Sequence, residues 1–341
     1  MAGQGLTVAV TGPTGDLGIA VVCALERSRA VKRIVGMARS PFDPAAQGWT
    51  KTEYRQGDVQ EVPCVQDLVK GADVVLHLAF SLMGEGDRTR SINVDGSRRV
   101  FEAAVAAGVA RICYASSVAA YGFHDDNPAW LTEDVPARGS PEHFYSAHKA
   151  EVEQLLAEML PSAPGTAAYV FRPSIVAGPR AQMLLEEMPY FRLSEAMPDA
   201  VGRLLSSMPM LKPVIPDSGL RFQLVHEDDV ATAFLAGVQG KGAPGHYNLA
   251  GGGTLTTSDL AQELGWYSMP VPELAVDAAA EVISRVRRAP ESVSWIHAVR
   301  RPMLMNVDRA REQLGWKPQH TARATLEQLV AARHESAPAA R

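Results

Sequence analysis

Short, nearly unbroken apolar runs alternate with stretches of helical spacing through the first half of the chain. LTVAVTG (6–12), RIVGMAR (33–39), DVVLHLAF (73–80), RICYASSV (111–118) and AAYVFRPSIV (167–176) are apolar almost throughout. A strand with one wet face alternates apolar and polar residues, whereas a strand covered on both faces reads as a continuous apolar run. Between these runs, residues 17–29, 91–107 and 142–160 place apolar positions at helical intervals. Strand–helix alternation of this kind predicts an α/β fold built on a doubly wound parallel sheet.

The pattern changes after Gly178-Pro179-Arg180. Residues 181–220 are rich in Met, Pro and Leu and show no clean period. RFQLV (221–225) then reads as a strand and EDDVATAFLAGV (227–238) as a helix whose acidic start suits the positive end of the helix dipole. HYNLA (246–250) reads as a further strand, and TTSDLAQELGW (256–266) as a capped helix stopped by Gly265. The expected organisation is a nucleotide-binding domain over 1–177 that also receives 221–250. A smaller, mostly C-terminal substrate lobe takes 178–220 and 251–331, and a frayed tail covers 332–341. No internal repeat is visible.

Composition narrows the function classes. Of 341 residues, 46% are apolar and 21% charged, which is ordinary for a folded globular chain. A net charge of −5 with both signs interspersed disfavours nucleic acid or an anionic membrane as partner. Basic runs such as SRVRRAP (284–290) are short. The start, MAGQGLTVAVTG, lacks the layout of a secretory signal, and no run approaches the roughly 18 apolar residues of a membrane span. Cys23, Cys64 and Cys113 are odd in number and share no metal-ligand spacing, so a reduced, cytoplasmic protein is expected.

Candidate chemistry begins at the first strand–helix turn, TGPTGDLG. Gly12, Gly15 and Gly18 there let the backbone turn tightly and approach a pyrophosphate, whose charge the helix N-terminus favours. The spacing is G-x-x-G-x-x-G, a variant of the general dinucleotide fingerprint. In a first strand–helix unit it points to a Rossmann-type nucleotide site that also engages Thr11, Thr14, Asp16 and Leu17. An acid ending the second strand would bind the free ribose 2′-hydroxyl of NAD, whereas an arginine accommodates the 2′-phosphate of NADP. Here the strand ends with Arg39-Ser40 and no acid, so NADP is expected, with NAD as the alternative and a merely solvated Arg39 as the plain reading. Asp58 in QGDV would accept from the adenine amino group or simply serve its turn. Tyr145 and Lys149 in YSAHK stand four apart, on one face of a helix.

Taken in order, several segments resemble one family. They are the glycine turn 11–18, GDV (57–59), HLA (77–79), NVDGS (93–97), ASSVAAYG (115–122), YSAHK (145–149), FRPSIVAGP (171–179) and VHEDDVA (225–231). On them the chain is identified as similar to the extended short-chain dehydrogenase/reductases, the NAD-dependent epimerase/dehydratase group, over most of residues 6–265. The resemblance implies a catalytic trio of Ser117, Tyr145 and Lys149, with Ser117 rather than Ser116 because it stands four before Tyr121. It also implies cofactor contacts from Val59, Leu78, Ala79, Tyr145, Lys149 and Pro173. A free tyrosine titrates near ~10, and a neighbouring ammonium would favour its phenolate, so Tyr145 would pass a proton to or from a substrate oxygen held by Ser117. In many relatives the helices 91–107 and 142–160 pair across a dimer axis, so a homodimer is one expectation; the other is a monomer in which the same apolar faces cover the sheet.

Three features select among the family's reactions. Dehydratases of this group carry an Asp-Glu pair after the catalytic hydroxyl residue, where this chain has Val118-Ala119. Nucleotide-sugar epimerases place an asparagine and basic residues after the Gly-Pro, yet residues 181–221 contain no Asn. They contain Met183, Met188, Met197, Met208 and Met210 instead, a composition that suits an apolar substrate or a small-lobe core. The expected function is therefore an NAD(P)-dependent oxidoreductase working on a ketone or secondary alcohol of an apolar small molecule, with Met183 beside the substrate. The alternative is a nucleotide-sugar epimerase that retains NAD and binds phosphate with Arg287, Arg288, Arg300 or Arg301. A non-catalytic nucleotide-sensing scaffold is a third reading, disfavoured because both Tyr145 and Lys149 are present. His226-Glu227-Asp228-Asp229 looks like a metal cluster, but consecutive residues at a helix start point apart, so no metal is expected. His77 reads as a packed histidine, and Asn93 as a main-chain clasp near the site or a helix opener.

Overall fold

The computed structural model describes residues 5–82, 84, 86–186, 212–272 and 302–336. The first half runs β1 (Leu6–Thr11), α1 (Asp16–Arg27), β2 (Val31–Ala38), β3 (Thr52–Gln56), α2 (Val62–Val69) and β4 (Val74–His77). Next comes α3 (Gly86–Arg90), which passes through a π-helical turn at Ser91–Asp95 into α4 (Gly96–Ala106). β5 (Arg111–Ala115), α5 (Phe144–Met159) and β6 (Ala167–Pro173) follow. The second half supplies β7 (Ile175–Ala177), α6 (Met183–Glu186), β8 (Val214–Asp217), β9 (Arg221–Phe222), β10 (Leu224–His226) and α7 (Glu227–Val238). It continues with β11 (Gly245–Leu249), β12 (Leu255–Thr256), α8 (Thr257–Glu263), β13 (Tyr267–Pro270), α9 (Asp308–Gln313) and α10 (Ala322–Ser336).

Seven strands form one parallel sheet in the order β11-β6-β5-β4-β1-β2-β3. The chain therefore winds outward from β1 in both directions, and the crevice where the order reverses lies between β1 and β4. Successive side chains of a strand face opposite ways. Val8 and Val10 join the core under α1 and α7, while Ala9 between them joins the core under α2, α4 and α5. Both faces are dry, which is why these strands read as unbroken apolar runs.

Two runs end earlier than their apolar stretch. The strand expected over 73–80 stops at His77 because the Thr11 hydroxyl draws in the Leu78 and Ala79 amides, each at 3.2 Å. The strand expected over 167–176 splits: Ser174 N donates to Leu249 O at 2.8 Å, and β7 leaves the main sheet to pair with β10. A third core joins Ala177, Leu185, Leu224, Leu255, Leu260, Leu326 and Leu329, so α8 and α10 pack on the connection between sheet and lobe. Asp229 ties this C-terminal part down. Its carboxylate accepts from Gln319 N (2.7 Å) and His320 N (3.0 Å), and its carbonyl accepts from Trp316 Nε1 at 2.9 Å. Helix α10 continues through Ser336, further than the tail expected from 332. Met188, Met197, Met208 and Met210, and Arg287, Arg288, Arg300 and Arg301, lie outside the described residues. No described helix is long and apolar enough to cross a membrane.

Candidate active site

The glycine turn sits where β1 meets α1, at the sheet's crevice. Gly12 has φ +70°, a left-handed conformation that costs other residues strain, and a Cβ there would press on the Ala79 amide nitrogen at 2.8 Å. Gly18 is pinned differently: a Cβ would stand 2.1 Å from Gly12 O. Gly15 has φ −77° and ψ 166°, open to any residue, and its missing Cβ would meet only Gly12 O at 3.9 Å. Gly15 and Asp16 are exposed, so the crest of the turn and the start of the 12-residue helix α1 are open at the end of β1. This is a cradle shaped for a phosphate. Gly36 of β2 completes it, because a Cβ there would meet the Pro13 ring at 2.9 Å. The sequence reading had no signal for that contact.

Thr11 and His77 underpin the turn. Thr11 is fully buried, and its hydroxyl is committed to His77 Nδ1 at 2.7 Å as well as to the Leu78 and Ala79 amides. His77 Nε2 meets Ser97 Oγ at 2.8 Å. Burial, and then the Lys149 charge, push the His77 pKa down to about 3, so it is a neutral structural imidazole. Asn93, in the π-helical turn, clasps one residue twice: Oδ1 accepts from Ser81 N at 2.7 Å, and Nδ2 donates to Ser81 O at 3.0 Å. A π turn rotates a side chain off the regular helical stripe, which lets Asn93 reach back over the β4 exit.

The trio converges at the carboxyl end of β5. Ser117 opens the single turn Val118–Tyr121, accepts from Ala119 N at 3.2 Å, and shares a hydrogen bond with the Tyr145 hydroxyl. Ser116 is turned away and donates to Glu153 Oε1 at 2.5 Å, which separates the two serines by orientation. Tyr145 and Lys149 occupy adjacent turns of α5. The Lys149 ammonium is 3% exposed, donates to Ala115 O at 2.6 Å, and lies 3.6 Å from the Phe80 ring centroid and 5.6 Å from that of Tyr145. Ser146, directly after Tyr145, supplies a positioning link that the sequence left unread. Its hydroxyl donates to Ala119 O at 2.6 Å and accepts from Ser140 N at 2.9 Å, locking α5 to the turn that carries Ser117.

Electrostatics qualify the expected phenolate. Burial raises the Tyr145 pKa, and the Ser117 hydrogen bond opposes that rise. Burial also pulls the Lys149 pKa down to about 7, against the charge of Glu153. The ammonium that should stabilise a phenolate is thus itself only marginally charged at neutrality.

The remaining sequence candidates line the crevice unevenly. Arg39 is exposed just beyond β2, and its side chain makes no ion pair among the described residues. Asp58 Oδ1 accepts from Gln60 N at 3.0 Å and serves its own turn. Val59 and Pro173 are buried, and Leu78 and Thr14 half-buried, at the strand ends. Met183 is half-buried in α6. The same short helix carries Glu186, which with Glu227, after partial dehydration as the first cause, raises the Asp16 pKa, so the lobe approaches the glycine turn. The His226–Asp229 group is dispersed. His226 Nδ1 accepts from Asp228 N, Glu227 accepts from Arg180 N and Ala181 N, and Asp229 serves the C-terminal segment.

A model of the NAD dependent epimerase/dehydratase family matches residues 8–250. Among curated proteins, the chain is 25% identical over 323 residues to the uncharacterized protein y4nG of Sinorhizobium fredii, spanning 92% of this chain and 75% of that one. It is 29% identical over 178 residues to 2-alkyl-3-oxoalkanoate reductase of Shewanella oneidensis, spanning 50% of this chain and 44% of that protein. Among solved structures it is similar to a short-chain dehydrogenase/reductase superfamily protein of Agrobacterium tumefaciens with bound NAD. That likeness has a TM-score of 0.70 at 22% identity and covers 96% of this chain and 97% of the other, a likeness of fold.

Proposed function

The chain belongs to the NAD dependent epimerase/dehydratase family, and from that premise we propose that it is an oxidoreductase, NADP-preferring, acting on a ketone or secondary alcohol of an apolar small molecule. The observation that carries this reading is the convergence of Ser117 and Lys149 on Tyr145, with Val118 and Ala119 following Ser117 where an acid pair would drive elimination. One proton-transfer residue at a strand end serves hydride chemistry, whereas eliminating water needs a further acid and base. Arg39, exposed with no acid at the end of β2, supports the 2′-phosphorylated cofactor. Met183 on the lobe side and the name of the Shewanella reductase favour an apolar keto compound.

Gly12, Gly15 and the opening of α1 would hold the pyrophosphate, and Lys149 and Pro173 the nicotinamide end. The nicotinamide, when bound, supplies or takes the hydride. Ser117 holds the substrate oxygen within reach of the Tyr145 hydroxyl, which gives up its proton as a ketone becomes an alcohol or takes one in the reverse direction. Lys149 lowers the cost of the resulting phenolate. Phe80 packs edge-on against Tyr145, 5.5 Å between centroids.

The test is NADPH consumption with a series of 2-alkyl-3-oxo acids and other apolar ketones. Tyr145→Phe should lower turnover by about 10²–10⁴-fold, and wild-type turnover in that variant would sink the reading. Stoichiometric NAD released on denaturing the purified protein would instead favour the epimerase, which regenerates its own cofactor.

A further inference from the structure

Lys149 must stay positive in a place that discourages charge. It is buried, with one carbonyl partner and the face of Phe80, and its proton affinity has fallen to about 7. The nearest opposing charge lies on the same helix. Glu153 is four residues on, hence on the same face one turn away, and is 4% exposed. Its carboxylate is held from three other segments. Ser116 Oγ donates to Oε1 at 2.5 Å, Arg172 of β6 donates through Nε at 2.9 Å and Nη2 at 2.5 Å, and His246 Nε2 of β11 lies 3.3 Å from Oε2. Burial alone would raise the Glu153 pKa, but the hydrogen bonds from His246 and Arg172 outweigh it and hold the group at about 2. Glu153 is therefore an anion at any working pH.

Its other side is not closed off. A cavity of about 410 Å³ lies between α5, the start of β6 and the start of β11. Leu156, Leu160, Val170 and Pro244 form apolar walls, and Glu153 and His246 form its polar end. The His246 side chain is 36% exposed. The groups facing the carboxylate are Lys149 on α5, Arg172 on β6, His246 on β11 and the Tyr114 phenol on β5, with Tyr121 under the Arg172 guanidinium at 4.5 Å.

We propose that Glu153 is a positioning residue for the Tyr145–Lys149 pair: its fixed carboxylate keeps the Lys149 ammonium charged beside Tyr145, and His246, beside it at the polar end of the cavity, sets how strongly it does so. The inference rests on reading Tyr145 and Lys149 as the proton-transfer pair. Arg172 and His246 share the Glu153 carboxylate. A cation at 246 offsets it further, and Lys149 then gives up its proton at lower pH.

The experiment reads the Lys149 proton directly. Trace acetylation with acetic anhydride across a pH series, followed peptide by peptide, reports the titration of each lysine, with exposed Lys70 and Lys317 as internal references. Wild-type Lys149 should titrate near 7. Glu153→Gln should lower that midpoint by about one unit, a tenfold rise in neutral lysine below it. His246→Lys should move it the same way by a smaller step, two- to threefold, and this variant decides alone if Glu153→Gln does not fold. The basic limb of the turnover–pH profile should follow both shifts. Unmoved midpoints in the variants that fold overturn the proposal, as does a midpoint shift that leaves the turnover profile in place. Wild-type turnover by Tyr145→Phe is a separate failure, that of the enzymatic reading, whatever the acetylation reports.

Discussion

Gly15 and Gly18 belong to one motif, yet replacing them should break different things. In Gly18→Ala the new methyl would sit 2.1 Å from Gly12 O, 2.8 Å from Pro13 C and 2.9 Å from Pro13 Cα. All three are backbone atoms of the turn itself, and ordinary contact requires roughly 3.5 Å. No side chain can swing aside, so the turn must open by more than an ångström. Forcing atoms into a packed site costs about 1–3 kcal/mol, and a clash with backbone belongs at the upper end. About 3 kcal/mol corresponds to a fall in Tm of roughly 6–12 °C. In Gly15→Ala the methyl meets nothing closer than 3.9 Å, and φ −77° suits alanine. Its Tm should stay within about 2 °C of wild type, since unstrained surface changes stay within about 0.5 kcal/mol. The methyl nevertheless stands on the exposed crest where a pyrophosphate must approach, so nucleotide affinity should fall at least about tenfold, the 1.4 kcal/mol of a lost close contact. Thermal unfolding and a fluorescence titration with NADPH measure the two effects on the same samples. Nucleotide binding by Gly15→Ala within twofold of wild type would refute the cradle. A wild-type Tm for Gly18→Ala would refute the steric account of the turn.

Two further outcomes follow from single residues. Arg39→Ala should weaken NADPH binding about tenfold or more and leave NADH binding unchanged, because in the proposed NADP site the guanidinium would meet only the 2′-phosphate; equal losses for both cofactors, in parallel titrations, would remove Arg39 from cofactor choice. His77 should make the fold sensitive to acid. Its folded pKa, about 3, lies below the ordinary 6.5, so between those values the unfolded chain binds a proton that the folded chain refuses, and stability falls as pH drops through that window. The difference amounts to at most roughly 4–5 kcal/mol at 1.36 kcal/mol per unit. Urea unfolding at pH 4, 5 and 7 should show a slope that His77→Gln largely removes, whatever that variant does to the stability at pH 7.

The parallel sheet was readable because β1, β4, β5 and β6 are covered on both faces, which favours apolar residues on both sides of each strand. The edge strand β3, with Glu53 and Arg55 turned to solvent, carries no such run. Helices α9 and α10 were not read from the pattern at all. They hold their place largely through Trp316, His320 and Leu326, whose partners lie on α7 and in the lobe. The assignment of Ser117 over Ser116 came from resemblance, and the geometry supplies its cause: one hydroxyl faces Tyr145 and the other Glu153.

By itself the sequence determined the strand–helix alternation around β1, β2, β4, β5 and β6, the glycine turn and the pairing of Tyr145 with Lys149. These depend on unbroken apolar runs, on helical spacing of three to four residues and on short motifs, all of which neighbours along the chain carry. Only the tertiary structure decided which groups are charged. The Glu153–Arg172 pair joins a helix to a strand, His246 reaches it from a third element, and the low proton affinities of His77 and Lys149 come from burial under segments distant in sequence. A side chain's charge is set by how much water folding removes and which partners it brings close, and neither exists until the chain has closed around it.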